Sequence, residues 1–244
     1  MTAARFFAEP ASLAAEQIRL DGPEGRHAAA VRRLRPGEPI DLTDGAGLVV
    51  SGIVTATGPD WVEARVERRI AVPAPAPRLV VVQALAKGDA GERALAALVE
   101  VGADEIVPWP ASRSVVRWAG ARGEKSLSRW RSTAREAAKQ SRRAWLPVVG
   151  DPCPTPDLVD RLRSAALAVV LHESATIPLV GVRLPAAGEI VLVVGPEGGI
   201  GPEELALFTD AGVSPCRLGP SVLRTATAAT AAASVVLARS GRWN

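Results

Sequence analysis

The chain has 244 residues, 48% of them hydrophobic, and carries a formal net charge of +3 at a sequence pI of about 9.4. That length holds one large domain, or a small one beside a medium one. Much of the apolar fraction is alanine, no run reaches the ~20 residues of a membrane span, and the start Met1-Thr-Ala-Ala-Arg-Phe-Phe lacks the apolar core of a secretion signal. A cytoplasmic protein without a membrane segment is therefore expected. Two cysteines, Cys153 and Cys216, and two histidines, His27 and His172, fit no metal-ligand spacing, so no metal is expected.

Residues 1–72 alternate short strand signals with turns. Ile40-Asp-Leu-Thr-Asp-Gly45 followed by Leu48 to Val54 is a hairpin signature. Trp61 to Arg68 sets apolar residues at 62, 64 and 66 against charges at 63, 65 and 67, a half-buried strand. His27 to Leu34 reads as one short helix closed by Pro36-Gly37. The pattern is that of a small β-barrel.

Pro73-Ala-Pro-Ala-Pro77 is a stiff linker and the domain boundary. Beyond it, Leu79 to Leu85 is a buried strand, Glu92 to Val101 an amphipathic helix closed by Gly102, and Glu105 to Pro108 the next strand. A β-α-β opening implies a parallel sheet with right-handed crossovers, hence an α/β fold class.

From Arg113 to Arg143 ten basic residues face only Glu124 and Glu136. On a helix, Arg131, Arg135, Lys139 and Arg142 fall within roughly an 80° arc. Leu127, Trp130, Ala134, Ala137, Ala138 and Ser141 fall within a separate arc of about 100°. The expected helix packs by its small residues and presents a cationic ridge suited to phosphate contact.

Leu167 to Leu171 is a further buried strand, ending in His172-Glu173-Ser174. Ile190 to Val194 is another, and Gly195, Gly198 and Gly199 free the loop that follows it. Pro202, Glu203 and Glu204 form a first helical turn, with acids at the positive end of the dipole. The plan repeats with Val213 to Leu218 as a strand and an alanine- and threonine-rich helix from Thr225 to Ser240. Two such loops at adjacent strand ends make a crevice for a flat ligand. The spacing is neither that of a Walker A loop nor that of the dinucleotide fingerprint.

Val194-Gly-Pro-Glu-Gly-Gly199 with Glu204, then Leu218-Gly-Pro-Ser-Val-Leu-Arg-Thr225, resembles the RsmE family of 16S rRNA uridine-N3 methyltransferases in the SPOUT superfamily. Arg5-Phe6, the His27, Val31, Arg33 set, Lys87-Gly-Asp, and Glu136-Ala-Ala with Gln140-Ser and Arg143 extend the likeness over most of the chain. Departures are Ala96-Ala97 for a usual Gln-Lys, Lys139 for glutamate, Arg142 for glycine, and Ala226 for glutamate. The resemblance implies a PUA-like RNA-binding β-barrel at 1–72, the linker at 73–77, and a SPOUT domain at 78–244 with a deep trefoil knot. S-adenosyl-L-methionine would touch Leu171, His172, Glu173, Val194, Gly195, Pro196, Glu197, Gly199, Leu218, Gly219, Leu223, Thr225 and Ala226. Arg224 would stabilise the transition state, with Glu197, Glu173 or solvent as base. Arg5, Arg33, Arg131, Arg135, Lys139, Arg142 and Arg143 would bind 16S rRNA of the small subunit, and the protein would be a homodimer. A related SPOUT enzyme acting on tRNA or a 2′-hydroxyl, and a non-catalytic ribosome-assembly protein, stay open.

Overall fold

In the computed structural model, which describes residues 3–243, two units form. One holds the residues up to Ala74 together with Ala138–Leu146; the other holds Pro75–Ala137 and those from Pro147 onward. The first is a sheet of β1 (Ala4–Phe7), β2 (Gln17–Leu20), β3 (Pro39–Thr43), β4 (Leu48–Thr57) and β5 (Val62–Ala71) in the order β1-β3-β4-β5-β2. Asp44 makes the hairpin turn, accepting from the amides of Ala46 at 2.7 Å and Leu48 at 3.1 Å. Val62, Ala64 and Val66 do face the core, against Phe6, Ile18, Ile40 and Leu42. Register shifts at Ser51/Gly52 and Val54/Ala56 bend β4 against β5, and such bulges increase local twist. The barrel-like unit is thus a curled sheet with β1 and β2 at its edges.

The short helix begins earlier than His27. Gly22, at φ 65, and Pro23 open α1 (Gly22–Arg26), which continues into a π turn over His27–Val31. Proline in the first turn presets the backbone, a signal outweighed in the sequence by the Pro36-Gly37 stop. Arg33 then takes a left-handed φ of 54 and ends the turn.

The second unit is a seven-stranded, all-parallel sheet: β6 (Arg78–Ala84), β7 (Glu105–Trp109), β8 (Val148–Val149), β9 (Leu167–Leu171), β10 (Ile177–Pro178), β11 (Glu189–Val194) and β12 (Ser214–Arg217), ordered β10-β12-β9-β11-β6-β7-β8. Strands covered on both faces need side chains that are apolar in both directions, and Val80, Val82, Val169, Val170, Val191 and Val193 are fully buried. One face packs on Leu158 and Leu162 of α4 (Thr155–Ser164) and Phe208 of α5 (Pro202–Asp210). The other is covered by α2 (Ala90–Val101) and α6 (Thr225–Arg239), which also pack on each other. Alanines at 229, 232 and 233 let α6 lie close over β6 and β11. The chain therefore leaves β12 and passes β9 to reach the middle of the sheet.

At the N-terminal edge of this sheet Arg161 grips Glu105 with two hydrogen bonds of 2.6 and 2.8 Å. Arg78 bonds Glu105 at 2.6 Å, and both arginines reach Glu189. Burial alone would raise the Glu105 carboxyl, but the two guanidinium groups hold it below its usual range. A carboxylate depressed in the folded state adds stability above its unfolded pKa and loses it as pH falls through the folded one.

Helix α3 (Gly120–Gln140) buries Trp130, Ala134, Ala137 and Ala138, as its periodicity requires. The ridge is corrected at Lys139 and at Arg142. Lys139 is only 5% exposed, its Nζ lying 3.1 Å from Glu24 Oε2 and 3.1 Å from His27 Nδ1. An ammonium only donates, so Nδ1 of His27 accepts and the ring proton sits on Nε2. Arg5 is likewise withdrawn, pairing with Asp41 at 3.2 Å and donating to the Arg142 carbonyl. The reason is that Ala138–Leu146 belongs to the first unit, so the end of the helix is packed rather than solvated. Arg142 lies beyond the helix, exposed, at φ 55. Arg131 is exposed but paired with Asp151 at 2.9 Å, and Arg135 and Arg143 are half-buried.

Two substitutions follow. Lys139→Glu sets a second carboxylate against Glu24 in a nearly dry site, and urea denaturation should show a loss of about 3 kcal/mol; a solvent-facing lysine would cost under about 0.5 kcal/mol. Glu105→Gln should cost about 3 kcal/mol at neutral pH. That deficit against the parent should shrink as the pH falls below about 4.3, where the unfolded carboxyl protonates.

Candidate functional site

The C-terminal ends of β9, β11 and β12 surround a cavity of about 790 Å³. Its floor is the loop after β11. Gly195 leaves the strand where a side chain would stand 2.7 Å from Ile200 Cγ1, and Gly199 takes a φ of 72 that a side chain would strain. The amide of Gly199 closes the turn on the Pro196 carbonyl at 2.9 Å. Thr225, the first residue of α6 and itself buried, donates its hydroxyl to the Gly195 carbonyl at 3.1 Å. That bond ties the loop after β12 to the loop after β11.

The wall from β12 runs through Leu218 to Arg224. A side chain at Gly219 would meet nothing within 4 Å, so bare backbone faces the cavity there. The wall from β9 is set by the His172 amide, which donates to the Cys216 carbonyl at 2.9 Å. His172 Nδ1 accepts from the Ser174 amide at 3.3 Å, which leaves the ring proton on Nε2. Burial pushes the Cys216 thiol up, so it stays protonated beside the cavity and is no nucleophile.

Glu204 holds the site together from beneath. Only 6% exposed, it accepts from the Ser112 amide at 2.8 Å, the Ser112 hydroxyl at 2.7 Å, the Thr155 hydroxyl at 2.9 Å and the Gly201 amide at 3.3 Å. The last is the N3-to-N-cap half of a capping box, and it starts α5. The others bind the loop after β7 and the first turn of α4 to the same carboxylate.

Among the residues expected at the cofactor, Leu171, His172, Glu173, Val194, Gly195, Pro196, Glu197, Gly199, Leu218, Gly219, Leu223 and Thr225 all line this one cavity. Ala226 does not; it sits one step inside α6. Arg224 lines it too, exposed at the N-cap of α6 and without an ion pair among the described residues. The expected RNA contacts are dispersed: Arg131 and Arg135 lie in the second unit, the other five in the first. Arg113, Cys216 and Arg217 line the cavity without having been singled out for it. Arg113 was legible only as the start of a basic run, because nothing local reveals that the loop after β7 crosses to β11.

An RNA methyltransferase domain family matches residues 73–237, and an RNA methyltransferase PUA domain family matches residues 20–67. The ribosomal RNA small subunit methyltransferase E of Mycobacterium bovis is 48% identical over 229 residues, covering 92% of this chain and 87% of that protein. Its Bacillus subtilis counterpart is 28% identical over 230 residues, covering 89% of this chain and 88% of that protein. A crystal structure of the Neisseria gonorrhoeae counterpart, bound to S-adenosyl methionine, superposes with a TM-score of 0.86 at 27% identity, covering 98% of each chain. With the match running through both units and the cavity built from the phrases at 194–199 and 218–225, this chain belongs to the ribosomal RNA small subunit methyltransferase E family.

Proposed function

We propose that this chain transfers the methyl group of S-adenosylmethionine to N3 of one uridine in the 16S rRNA of the small ribosomal subunit. The observation that carries this reading is the pair of bare-backbone loops, locked by the bond from Thr225 to Gly195, that walls a single cavity at the sheet's C-terminal edge. Those walls fit the cofactor: Gly219 leaves main chain open, and the glycines at 195 and 199 admit close approach. Leu171, Gly195, Gly199, Leu218 and the stretch from Leu223 to Thr225 would hold it through backbone atoms.

S-adenosylmethionine supplies an activated methyl and its own leaving group, so the protein's residues position the uridine and handle one proton. Loss of the N3 proton spreads negative charge over O2 and O4 of the base. The guanidinium of Arg224 meets such an anion with paired donors. With its proton on Nε2, His172 offers a donor to the cavity. Glu173 and Glu197, both exposed on the rim, and solvent are the proton acceptors. Ala226 lies off the cavity lining, which supports a first-turn structural role for the glutamate usual there.

RNA binding by the first unit rests on Arg33 with Arg26, Arg32 and Arg35, exposed around the π turn, rather than on Arg5 and Lys139. The path from β12 across β9 to α6 supports a trefoil knot in the domain at 78–244. Exposed Ile177, Val180 and Val222 support a homodimer. No helix among the described residues is long and apolar enough to cross a membrane, in keeping with work on ribosomes in the cytoplasm.

The reading is tested by labelled methyl transfer to undermethylated small subunits, with the product nucleoside identified. 3-Methyluridine is expected; any other methylated nucleoside overturns it. Arg224→Ala should lower kcat by about 10²–10³-fold while the cofactor Kd, measured by calorimetry, stays unchanged. A cofactor Kd that rises in step would place Arg224 in binding instead.

A further inference from the structure

We infer that Arg113 is a substrate-positioning residue: its guanidinium binds a backbone phosphate of the RNA beside the uridine that enters the cavity. The inference deepens the proposed methyl transfer and rests on it for the identity of the RNA.

Three observations converge. The first is how firmly the backbone around Arg113 is held. Ser112 is fixed on one side by two hydrogen bonds of 2.8 and 2.7 Å to the buried Glu204 carboxylate. Ser114 is fixed on the other, buried, with its amide bonded to the Ala111 carbonyl at 3.0 Å. A buried carboxylate in a dry site is costly unless it is well satisfied, and here two of its hydrogen bonds serve to place the residue next to Arg113.

The second observation is that the side chain so placed is left without an anion. Arg113 is exposed, lines the cavity, and makes one long hydrogen bond of 3.3 Å, from Nη1 to the Gly198 carbonyl. Among the described residues it has no ion pair, although two carboxylates, Glu173 and Glu197, line the same cavity. Most of the guanidinium's donors are therefore available, in the planar fork that suits a phosphate.

The third is direction. In the strand order β12-β9-β11-β6-β7, Leu171 and Leu218 reach the glycine loop from the β9 and β12 side, while Arg113 reaches it from the β7 side, across the end of β6. Arg113 packs directly on that loop: a side chain at Gly198 would lie 3.2 Å from the Arg113 carbonyl and 3.3 Å from its Cβ. Arg113 thus reaches the cavity from the β7 side, away from the walls supplied by β9 and β12, and is the cation placed there for the incoming nucleic acid. N3 lies on the pairing edge of uracil, so the base must be splayed out of any stack or pair to react. A phosphate held beside the cavity fixes the strand while the base enters.

The test uses the full chain as wild type, Arg113→Ala and Arg113→Lys. Binding to undermethylated small subunits is measured over a salt series with S-adenosylhomocysteine present, and cofactor affinity is measured separately by calorimetry. Arg113→Ala should weaken subunit binding about tenfold and flatten the plot of log K against log salt by about 0.7, the loss of one phosphate contact. Arg113→Lys should restore the slope, and cofactor affinity should be the same in all three. A slope and affinity equal to wild type for Arg113→Ala, or a cofactor affinity that falls with it, overturns the inference, the latter by assigning the arginine to the cofactor's carboxylate. Methyl transfer by the wild type is assayed on the same subunits. Its absence counts against the proposed reaction, whereas the salt series decides Arg113 on binding alone.

Discussion

The carboxylate of Glu204 is the point at which three separated loops of the sheet's C-terminal edge are tied together. It takes donors from Ser112 after β7, Thr155 at the start of α4 and Gly201 at the start of α5. A parallel sheet ends every strand at this edge in a loop that must carry its own backbone groups, and loops alone are soft. One buried anion with four donors makes the edge rigid. The glycine loop after β11 then rests on a fixed neighbour, and the bond from Thr225 to Gly195 passes that order on to the last helix. The cavity is as well defined as that chain of contacts.

Much of this was legible from local pattern. Unbroken β-branched runs gave β6, β9 and β11; Pro202 and Gly102 marked a helix start and a helix end that the structure keeps. The two phrases at 194–199 and 218–225 placed the cavity residues because the chemistry there is main-chain geometry, which glycine and proline announce. Long-range pairing is what stayed hidden. Lys139 is chemically indistinguishable from its neighbours on a helical wheel, and only Glu24, 115 positions earlier, turns it inward. Glu204 reads as a first-turn acid and is one, yet most of its hydrogen bonds go to residues 49 and 92 positions away. Arg113 owes its place to that same bond. Each of these depends on a contact with no trace in the residues on either side.

The two ends of the parallel sheet handle charge in opposite ways. At the N-terminal edge Arg78, Glu105, Arg161 and Glu189 close on one another, and Asp104 is held by Arg242. At the C-terminal edge Arg113, Arg217, Arg224, Glu173 and Glu197 line one cavity and form no ion pair among the described residues. Fold stability gains from pairing charges, and nothing in packing requires the second set to stay apart. Charges left unpaired around a concave site, at the strand ends where parallel sheets bind ligands, are the ones the proposed reaction would draw on for its partners.

The proposed recognition through backbone also accounts for where this chain departs from the pattern it otherwise follows. Ala96, Ala97, Lys139, Arg142 and Ala226 all lie off the cavity lining. Lys139 is matched by Glu24, so the charge reversal is absorbed inside the first unit. A seat made of carbonyls and amides depends on φ, on close approach and on the loops beneath it, and tolerates change in side chains that do not support those loops. The residues that cannot drift are then the glycines whose backbone or packing leaves no room for a side chain, Thr225, and the buried carboxylate of Glu204. That set holds the shape of the cavity.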